Sequence, residues 1–568
     1  MTRASTVPRS DRFALPEIRV RLRSDGGLEV SSITPPQPHP STTLHWLARW
    51  AEQTPEAVLL TEVVDRDRRE YSYREAWEQV GAEARALREY GLDAGERVAV
   101  IAPNSFMHFV LGHAAMLVGA IYVPIAAQYA AEGADPQRLA GVIELIEPAL
   151  IVAAPDSEQR FARARGSVVT GLRSRPADDG SGAAFARRWL ERMDPDVPTK
   201  LLLTSGSTGT PKAVIYTPRM LVANAQATAQ VWPFSTGHPP ILVDWLPWNH
   251  AFGGNANLSM VLLAGGTLHI DPSRGRPEAF AESIATIKRL RPSYYAAVPA
   301  GFQQLLPVLR DDRELRKALL GGCEGLFSAG AAMPAPTFEA LRELSLTVRN
   351  DGPIPILSGW GSTEVGPGAT IVHTDASRPG WIGTPLPGVT VKLVPVAEKL
   401  ELRVKGPSVM PGYWGQPELT ETVFDDEGFY CSGDAGLLVD PSRPELGLRF
   451  DGRIANDFKL ANGSWVNVER IRESLLALAG DDVRDVVIVG PDRPHLVAVF
   501  WVERGARLDL AGILDGHNSV HHGQTNAVRA ARAIDEELAA EFLTPKGTIK
   551  AALFRAREAR HFDDLYFE

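Results

Sequence analysis

Cysteine is nearly absent from this chain, with only Cys323 and Cys431 among 568 residues. Two cysteines cannot build a disulfide framework, so a reducing compartment is expected. Basic residues are not in excess either, since the net charge is −10, and this argues against a nucleic-acid or anionic-membrane partner. The first residues, MTRASTVPRSDRF, contain no apolar segment of the kind found in secretory signals, so we expect a cytoplasmic protein.

No apolar run is long enough to predict a membrane-spanning helix. The longest, Phe109 to Ile125, contains His113 and Gly119, so it predicts a buried helix that leads into a strand. Hydrophobic residues make up 44% of the chain and charged residues 23%, which is ordinary for a globular protein. At 568 residues the chain is too long for one hydrophobic core, so at least two domains are expected.

The order of apolar segments predicts an α/β fold. Short apolar strands alternate with helical patterns as far as Ser358, which is typical of α/β layers with much parallel sheet. Residues 1–40 are rich in proline, arginine and serine and predict a loosely ordered arm. The pattern changes near Arg453. We therefore expect a large N-terminal domain over 41–452 and a small α+β domain over 453–568.

Two polar stretches are predicted to be loops. Residues 172–184 are small and polar, and they precede the stretch on which the functional hypothesis depends. Residues Gly516 to Gly523 read GHNSVHHG and hold three histidines. Because no cysteine or carboxylate accompanies them at ligand spacing, they predict a solvated loop rather than a metal site.

The stretch Leu201 to Thr217 reads LLLTSGSTGTPKAVIYT and predicts two strands joined by a loop of small, hydroxylated residues. Glycines allow close backbone approach, hydroxyls add hydrogen-bond donors, and Lys212 adds a positive charge, so the loop suits phosphate oxygens. It is not a Walker A loop, because Lys212 follows Pro211 and precedes a strand instead of opening a helix. The alternative is a flexible turn without a ligand. The loop residues are Thr204, Ser205, Gly206, Ser207, Thr208, Gly209 and Thr210.

Two further stretches follow predicted strands, where ligands sit in open α/β sheets. Asp244 to Asn257 reads DWLPWNHAFGGNAN, and its aromatic residues and His250 are predicted to meet at a strand end. A packed aromatic loop is the alternative. Ser328 to Pro334 reads SAGAAMP, and these small residues would admit a flat ring.

Two more stretches carry carboxylates in glycine-rich turns. In LSGWGSTEVGPGAT, from Leu357 to Thr370, Thr363 and Glu364 offer oxygen ligands that suit Mg²⁺ near phosphates, although an exposed turn would look the same. In GFYCSGDAG, Asp434 is placed to accept hydrogen bonds from a ribose diol. Arg453, at the predicted domain boundary, is placed to reach the same ligand.

Taken together, in this order and spacing, these stretches resemble the adenylate-forming superfamily of acyl-CoA synthetases, luciferases and peptide-synthetase adenylation domains. TSGSTGTPK matches the phosphate loop of that family, and GWGSTE, YCSGD and DGRIANDFKLANG match its later motifs. The resemblance covers roughly residues 40–555. Within the superfamily, DWLPWNHAFGGNAN, GYWGQPELTETVFDDEGFY and FDGRIANDFKL look like feruloyl-CoA synthases.

The resemblance implies an N-terminal adenylation domain and a C-terminal lid that rotates between two half-reactions. A carboxylate attacks the α-phosphate of ATP and pyrophosphate leaves; a thiol, usually that of CoA, then displaces AMP. Such chemistry depends on positioning and charge stabilisation. We therefore expect ATP, Mg²⁺ and CoA, a small aromatic acid substrate, no nucleic acid and no membrane.

The resemblance also assigns roles by matching position. Glu364 and Thr204 would hold Mg²⁺, Thr363 would touch the α-phosphate, and Trp360 would stack on adenine. The residues implied for the nucleotide are Thr204, Ser205, Gly206, Ser207, Thr208, Gly209, Lys212, Gly330, Ala331, Trp360, Gly361, Ser362, Asp434, Arg453 and Lys459. The residues implied for the acyl group are Trp248, His250, Phe252, Ala329, Gly330 and Gly359. The residues implied for catalysis are Lys546, Glu364, Thr363 and His250.

Two positions depart from the pattern of the family. The lid hinge is usually acidic or lysine, and here Ala455 stands at that position. The catalytic lysine near the C-terminus is also displaced, because a gapless match places Thr548 where lysine is expected. Lys546 and Lys550 both lie two residues away. Feruloyl-CoA synthases have a similar D-K-G-x-I pattern, which favours Lys546, and a lysine suits the charge that develops on a transferring phosphoryl group.

Three functions compete at this point. The leading hypothesis is an ATP- and Mg²⁺-dependent ligase that adenylates a cinnamate- or ferulate-like acid and transfers it to CoA. The second keeps the adenylation and drops CoA: some relatives activate nitrite to diazotise an aryl amine. The third is a nucleotide-binding protein without catalysis, and the presence of Lys212, Glu364, Asp434 and Arg453 argues against it.

Overall fold

The computed structural model describes residues 11–64, 67–130, 136–153, 168–171, 180–205, 211–462, 464–480, 482–520, 526–543 and 548–567. The α-helices span Leu44–Gln53, Tyr73–Glu89, Phe106–Leu117, Pro136–Ile146, Ser181–Leu190, Pro218–Val231, Leu258–Ala264, Phe280–Leu290, Pro299–Asp311, Arg313–Leu319, Ala335–Leu346, Pro417–Thr422, Val468–Ala479, Leu510–Val520 and Ala551–Arg557. Among the described residues, none of these helices is both long enough and apolar enough to cross a bilayer.

The strands are numbered in chain order. They are β1 (Ile18–Leu22), β2 (Leu28–Ser32), β3 (Val58–Val64), β4 (Asp67–Ser72), β5 (Arg97–Ile101), β6 (Ile121–Ile125), β7 (Leu150–Ala153), β8 (Val168–Gly171), β9 (Lys200–Ser205), β10 (Pro211–Tyr216), β11 (Ile241–Asp244), β12 (Thr267–Ile270), β13 (Tyr294–Ala297), β14 (Gly325–Ser328), β15 (Ile356–Trp360), β16 (Thr370–Ile371), β17 (Trp381–Pro385), β18 (Thr390–Val396), β19 (Lys399–Lys405), β20 (Tyr430–Leu438), β21 (Leu448–Arg453), β22 (Phe458–Lys459), β23 (Trp465–Val466), β24 (Val483–Val489), β25 (Leu496–Val502) and β26 (Val528–Ile534).

One sheet has the order β10-β9-β6-β5-β7-β8, with all neighbours parallel except the antiparallel edge pair of β9 and β10. Its central strands, RVAVI, IYVPI and LIVA, are almost wholly buried. Such continuous apolar runs are expected where helices cover both faces of a parallel sheet. This sheet presents the β9–β10 hairpin at its edge.

The largest sheet has eleven strands in the order β1-β2-β18-β19-β20-β21-β17-β16-β15-β14-β13. It is parallel from β13 to β15 and antiparallel beyond, so β15 is the strand at which the direction of pairing changes. A four-stranded sheet has the order β11-β12-β3-β4. The carboxyl ends of β11, β14 and β15 lead into the candidate site.

The residues after Phe458 form their own hydrophobic clusters around sheets β22-β23 and β24-β25-β26. The clusters that contain the larger sheets hold no residue beyond Phe450. The predicted class, a large α/β domain followed by a small α+β domain, is confirmed. The domain limits of 41–452 and 453–568 stay a prediction.

The prediction of a loosely ordered arm over residues 1–40 is wrong for the described residues 11–40. Strands β1 and β2 form an edge of the eleven-stranded sheet, where Val30 pairs with Val391. Arg12 is buried and its guanidinium contacts Glu324 and Asp351, both at 2.9 Å. A polar, arginine-rich composition suggested solvation, and much of the segment is exposed, but distant partners order it through the buried residues Arg12 and Val30.

Both loop predictions are also wrong in part. Residues 181–184 belong to the helix Ser181–Leu190, and 172–179 lie outside the described residues. Residues 516–520 belong to the helix Leu510–Val520, and 521–523 lie outside the described residues. His517 is fully buried, with Nδ1 2.8 Å from the hydroxyl of Ser474 and Nε2 3.0 Å from the carbonyl of Asn526. It is a core histidine, as its hydrogen bonds show.

Candidate active site

The β9–β10 hairpin carries the residues predicted to contact phosphate. Its strands pair in register, with Thr204 opposite Lys212 and Leu202 opposite Val214. The loop residues Gly206, Ser207, Thr208 and Gly209, with Thr210, lie outside the described residues, as does the side chain of Ser205. The predicted strand–loop–strand arrangement is confirmed on both sides of that loop. Lys212 therefore lies on strand β10, directly opposite Thr204 on β9.

A third segment pairs with β10 on its free side. Ile215 N–H donates to Gly412 O at 3.2 Å, and Trp414 N–H donates to Ala213 O at 2.8 Å. This pairing places the ring of Tyr413 5.1 Å from the ammonium of Lys212. The hydroxyl of Tyr413 donates to Glu364 Oε1 at 3.0 Å.

Tyr413 thus joins the hairpin lysine to the predicted metal ligand, and sequence reasoning missed it. Burial, and then the charge of Glu364, raise the pKa of Tyr413, so it stays a neutral donor. The motif GYWGQPELTET, which contains this residue, was available as a signal. Its role could not be assigned because it arises only when residues 412–414 pair with β10.

The turn after β15 positions Ser362, Thr363 and Glu364. A Cβ at Gly361 would lie 1.9 Å from Pro367 O, so glycine is required there. A short 3₁₀ helix, Thr363–Val365, follows. Ser362 Oγ is buried and has no hydrogen-bond partner within the described ranges, as expected for a donor reserved for a ligand.

The same turn is held from two sides. Tyr216 at the end of β10 donates its hydroxyl to Thr363 O, and Met410 N–H donates to Glu364 O at 2.8 Å. The Asn255 side chain lies beside the Tyr216 hydroxyl. Burial and the charge of Glu364 raise the pKa of Tyr216, and the hydrogen bond with Asn255 partly offsets that rise. The turn is therefore fixed before any ligand binds.

Trp360, Asp434 and Arg453 form a second group. Trp360 Nε1–H donates to Asp434 Oδ2 at 2.8 Å, and Arg453 Nε lies 3.1 Å from Asp434 Oδ1. Asp434 and Arg453 face each other in the register of β20 and β21. Trp360 and Asp434 are buried, whereas the Arg453 side chain is 63% exposed. The structure brings these three residues together, and their roles toward adenine and ribose stay predictions.

On the other side of the turn, aromatic and small residues meet. Phe252 lies edge-on to Phe327 with ring centroids 5.4 Å apart, and Phe327 is followed in the chain by Ser328, Ala329 and Gly330. Ser328 pairs with Ser358, next to Gly359, in the adjacent strand β15. Ala331 is exposed just beyond. His250 N–H donates to Pro247 O at 3.1 Å, which fixes the start of the turn that leads to Phe252.

The side chain of Trp248 lies apart from that group, and its contact with the acyl substrate stays a prediction. Its side chain is 2% exposed and lies edge-on to His108, with ring centroids 5.6 Å apart. It lines an enclosed cavity with Lys200. The apolar indole is buried behind the loop because the helix Phe106–Leu117 supplies an aromatic surface there.

The C-terminal lysines stand apart from these groups. Lys546 lies outside the described residues. Lys550 Nζ donates to Glu541 O at 2.9 Å, within the same small domain. Ile549 N–H donates to Asp485 Oδ2 at 2.7 Å and anchors the end of the segment that contains Lys546. Lys459 is exposed, with Nζ 5.1 Å from the ring of Trp465.

The junction between the two parts of the chain is polar. Lys399 Nζ lies 2.7 Å from Asp457 Oδ2 and also donates to Asp451 O at 2.6 Å. Asn467 Nδ2 donates to Asp451 Oδ1 at 3.1 Å. Ala455, at the predicted hinge position, is exposed in a short 3₁₀ helix. Few apolar groups cross this junction, so it has the composition of an interface that can open.

The donor set fits a hard divalent cation. The Glu364 carboxylate and the Thr204 hydroxyl are oxygen ligands of the type that Mg²⁺ takes, usually with waters and substrate phosphates. Tyr413 contacts both that carboxylate and the Lys212 ammonium. Such an arrangement can hold a polyphosphate and its bound metal between the Lys212 ammonium and the Glu364 carboxylate.

The fold is shared with solved structures that include an ATP-bound protein and a CoA ligase. ATP-bound MatB from Rhodopseudomonas palustris superposes with a TM-score of 0.71 at 24% identity, covering 92% of this chain and 100% of that one. An anthranilate CoA ligase, AuaEII, in complex with anthranoyl-AMP gives a TM-score of 0.71 at 19% identity, covering 93% and 99%. At these identities the likeness concerns the fold.

The sequence comparison identifies the family. The family model described as AMP-binding enzyme matches residues 47–414, well over half of the chain. The chain belongs to the AMP-binding enzyme family. A carboxylic acid reductase of Mycobacterium tuberculosis is 26% identical over 532 residues, covering 83% of this chain. The chain spans 43% of the length of that relative and 60% and 40% of two further curated relatives.

Proposed function

We propose that this protein is an AMP-forming acid–thiol ligase that activates a carboxylate with ATP and transfers the acyl group to CoA. The observation that carries the proposal is the turn 360–364, which connects two groups of residues. On one side Glu364 reaches Lys212 through Tyr413. On the other side Trp360 reaches Arg453 through Asp434. A triphosphate at the first group and a ribose at the second would belong to one nucleotide.

The phosphate side of the site would bind and neutralise charge. Lys212 and the hairpin loop, with Thr204, Ser205, Gly206, Ser207, Thr208 and Gly209, would hold the β- and γ-phosphates. Mg²⁺, held by Glu364 and Thr204, would supply positive charge at the phosphate oxygens. Tyr413 fixes the carboxylate of Glu364, so little rearrangement is needed when the metal and nucleotide arrive.

The nucleoside side would orient the α-phosphate. Asp434 would accept hydrogen bonds from the ribose hydroxyls, with Arg453 beside it and Trp360 against the base. Thr363, whose carbonyl is fixed by Tyr216, would lie at the α-phosphate. The acyl carboxylate would approach this phosphorus, and pyrophosphate would leave on the Lys212 side, which is a matter of alignment and charge rather than of acid–base chemistry.

Lys546 is proposed as the lysine of the adenylation step. The competing residue, Lys550, already donates to Glu541 O in its own domain. Rotation of residues 453–568 about the region of Ala455 would bring Lys546 to the phosphates and later open a path for the thiol. The polar junction of Lys399 with Asp457 supports such a movement, since exchanging it for water costs little hydrophobic burial.

An aromatic acid, cinnamate- or ferulate-like, is proposed as the acyl substrate. The observations that support an aromatic group are the edge-on contact of Phe252 with Phe327 and the small residues Ala329 and Gly330 that follow Phe327, of which Gly330 is exposed. Aromatic edges favour a second ring by about 1 kcal/mol beyond burial alone. The shared fold with a ligase that carries anthranoyl-AMP is consistent with an aryl group at this position.

The proposal is tested by pyrophosphate release from the purified full chain. Benzoates, cinnamates, malonate and fatty acids are supplied with ATP and Mg²⁺, each with and without CoA, and acyl-CoA is measured by mass spectrometry. We expect pyrophosphate, AMP and a thioester with a cinnamate. Nitrite with an aminoaryl acid is included. ATP consumption with nitrite and none with any carboxylic acid would contradict the ligase and indicate a diazotase. ATP binding without AMP formation in any arm would indicate a non-catalytic protein.

A further inference from the structure

A buried cavity lies behind the candidate site, between two elements that do not otherwise take part in it. One wall is the helix Phe106–Leu117 with Tyr122 of β6, and the other is the segment from Trp248 to Leu262. The cavity volume is about 30 Å³, which is enough for two or three water-sized atoms. Its polar and aromatic lining includes Thr43, His108, His113, Tyr122, Lys200, Trp248 and Ser259, and glycines and apolar side chains complete it.

Lys200 is the charged group of this cavity. It is 4% exposed, and its ammonium donates to Gly254 O at 3.1 Å and to Asn255 Oδ1 at 2.6 Å. Both acceptors are neutral. No carboxylate lines the cavity, as far as the described ranges extend. A buried ammonium without a counter-ion is costly, and it either loses its proton or gains an anion.

A second buried lysine shows how this chain ordinarily treats such a charge. Lys392 is 2% exposed, and its ammonium contacts Asp425 at 2.5 Å and Glu427 at 3.0 Å. Two carboxylates therefore compensate Lys392, whereas Lys200 has two amide oxygens and the ring of Tyr122, whose centroid lies 5.4 Å from the ammonium. This difference indicates that no carboxylate compensates the positive charge of Lys200 and that the cavity beside it is where an anion would fit.

A further donor lines the cavity, beside the polar side chains of Thr43, His113 and Ser259. Trp248 Nε1–H is buried and has no hydrogen-bond partner among the residues that the structure describes. The Trp248 indole N–H and the third N–H of the Lys200 ammonium can therefore both donate to a group in the cavity. His108 cannot accept from them freely, since its Nε2 is 2.6 Å from the Tyr122 hydroxyl and its Nδ1 is 3.1 Å from Pro103 O.

We propose that this cavity is a binding site for a small monovalent anion, of the size class of chloride, formate or nitrite, held by the Lys200 ammonium and the Trp248 indole N–H. Two donors with one positive charge match two acceptor oxygens or one halide. The cavity is too small for an acyl group or a phosphate. The site is separate from the proposed nucleotide site and does not depend on the proposed function.

The groups that face Lys200 give the site a defined pH response. Burial lowers the pKa of Lys200 to about 7. Burial also lowers the pKa of His108 and His113 to about 4 and raises that of Tyr122, so these three neighbours stay neutral near pH 7. The bound anion favours the charged lysine. Binding therefore takes up a proton and weakens as the pH rises above about 7.

The test measures thermal stability of the full chain, without ATP or acid substrate, in a sodium gluconate buffer free of small anions. Gluconate is too large for the cavity and keeps the ionic strength constant as sodium nitrite, formate or chloride replaces it. We expect a saturable increase in Tm with at least one of the three, larger at pH 6.5 than at pH 9. The ranking of the three separates two-oxygen anions from a halide.

Variants separate the cavity from general salt effects. Lys200→Met removes the charge, and we expect it to abolish the anion-dependent increase; Lys392→Met is the matched loss of a buried lysine and should retain it. Trp248→Phe keeps the ring in place and should weaken anion binding about tenfold, as calorimetry on the native-state protein would show. The proposal is overturned if no small anion acts beyond gluconate, or if Lys200→Met responds as the unsubstituted chain does. If Lys200→Met does not fold, an unchanged affinity in Trp248→Phe overturns it instead.

Discussion

Thr204 and Lys212 face each other across a hydrogen-bonded hairpin, whereas Arg453 and Lys459, on the other side of the candidate site, are exposed side chains. The first pair is held in place by β9, β10 and the added segment 412–414. Of the second pair, Arg453 ends strand β21 opposite Asp434, and Lys459 follows a polar junction that rests on Lys399 and a few side-chain hydrogen bonds. The two sides of one site are therefore built with different rigidity.

The two sides therefore differ in their proposed roles: the first would bind the nucleotide, and the second would change position between the half-reactions. Groups that would grip the triphosphate are fixed by sheet pairing before the ligand arrives, which lowers the reorganisation needed at the moment of reaction. Lys546, which would serve only the adenylation step, belongs to the C-terminal part that we propose to rotate, the mobile side. Changes on the fixed side should accordingly weaken nucleotide binding as well as adenylation, whereas a change on the mobile side should affect only the half-reaction in which that side closes.

Glu364→Gln tests the fixed side and should have the largest effect. The substitution keeps the hydrogen bond from Tyr413 but removes the negative charge that Mg²⁺ requires, so we expect AMP formation to fall about 1,000-fold. Single-turnover formation of acyl-AMP would measure it. Glu418→Gln, an exposed carboxylate on the neighbouring helix Pro417–Thr422, should have no effect. A near-normal rate in Glu364→Gln would refute the metal role.

Lys546→Ala tests the mobile side. We expect adenylation to slow about 100-fold, because a positive charge at the transferring phosphoryl group is lost. Transfer from preformed acyl-AMP to CoA should stay within about twofold, and this contrast distinguishes the lid from the fixed side. Lys550→Ala is the matched control. If Lys550→Ala slows adenylation and Lys546→Ala does not, the catalytic lysine is Lys550 and the alignment of this segment with the family motif is wrong.

Trp360→Phe tests whether the nucleoside group acts as a unit. The change removes the N–H that donates to Asp434 Oδ2 and keeps an aromatic ring against the base. A hydrogen bond to a carboxylate contributes about 1.5–3 kcal/mol, so we expect the KM for ATP to rise at least about tenfold with little change in kcat. Trp189→Phe, in the helix Ser181–Leu190, should leave both unchanged. An equal loss in kcat would show that the tryptophan acts in the chemical step instead.

Asp244→Asn should have the smallest effect, on stability alone. Burial raises the pKa of Asp244 to about 7, well above its value in an unfolded chain. The protonated form is therefore favoured in the fold, and its contribution to stability is present below pH 4 and is lost as the pH rises through 7. We expect the free energy of unfolding of Asp244→Asn, from urea denaturation, to vary less between pH 5 and 8. An unchanged pH profile would contradict this.

The sequence predicted those parts of the fold that depend on neighbouring residues. The predicted alternation of short apolar strands and helices is confirmed, because apolar runs bounded by polar turns, such as Arg97–Ile101 and Leu150–Ala153, define strands locally. The hairpin Lys200–Tyr216 was predicted for the same reason. The family resemblance also implied that Trp360, Asp434 and Arg453 would contact one nucleotide, and the structure brings these residues together.

What the sequence could not predict depends on residues far apart in the chain. Strand β1, IRVRL, alternates charge with apolar residues and becomes a strand only because β2 pairs with β18, some 360 positions later. Tyr413 contacts Glu364 across 49 positions. Trp248 stands among predicted substrate residues, yet the helix Phe106–Leu117 buries it elsewhere.

The hydroxyl of Tyr216 holds the carbonyl of Thr363 and has Asn255, the partner of Lys200, beside it. Three positions outside the proposed nucleotide and acyl contacts therefore influence the orientation of Thr363. Random mutagenesis for altered turnover should recover changes at 200, 216 and 255 alongside those in the pocket. Redesign of the chain for a new acid should leave those three unaltered.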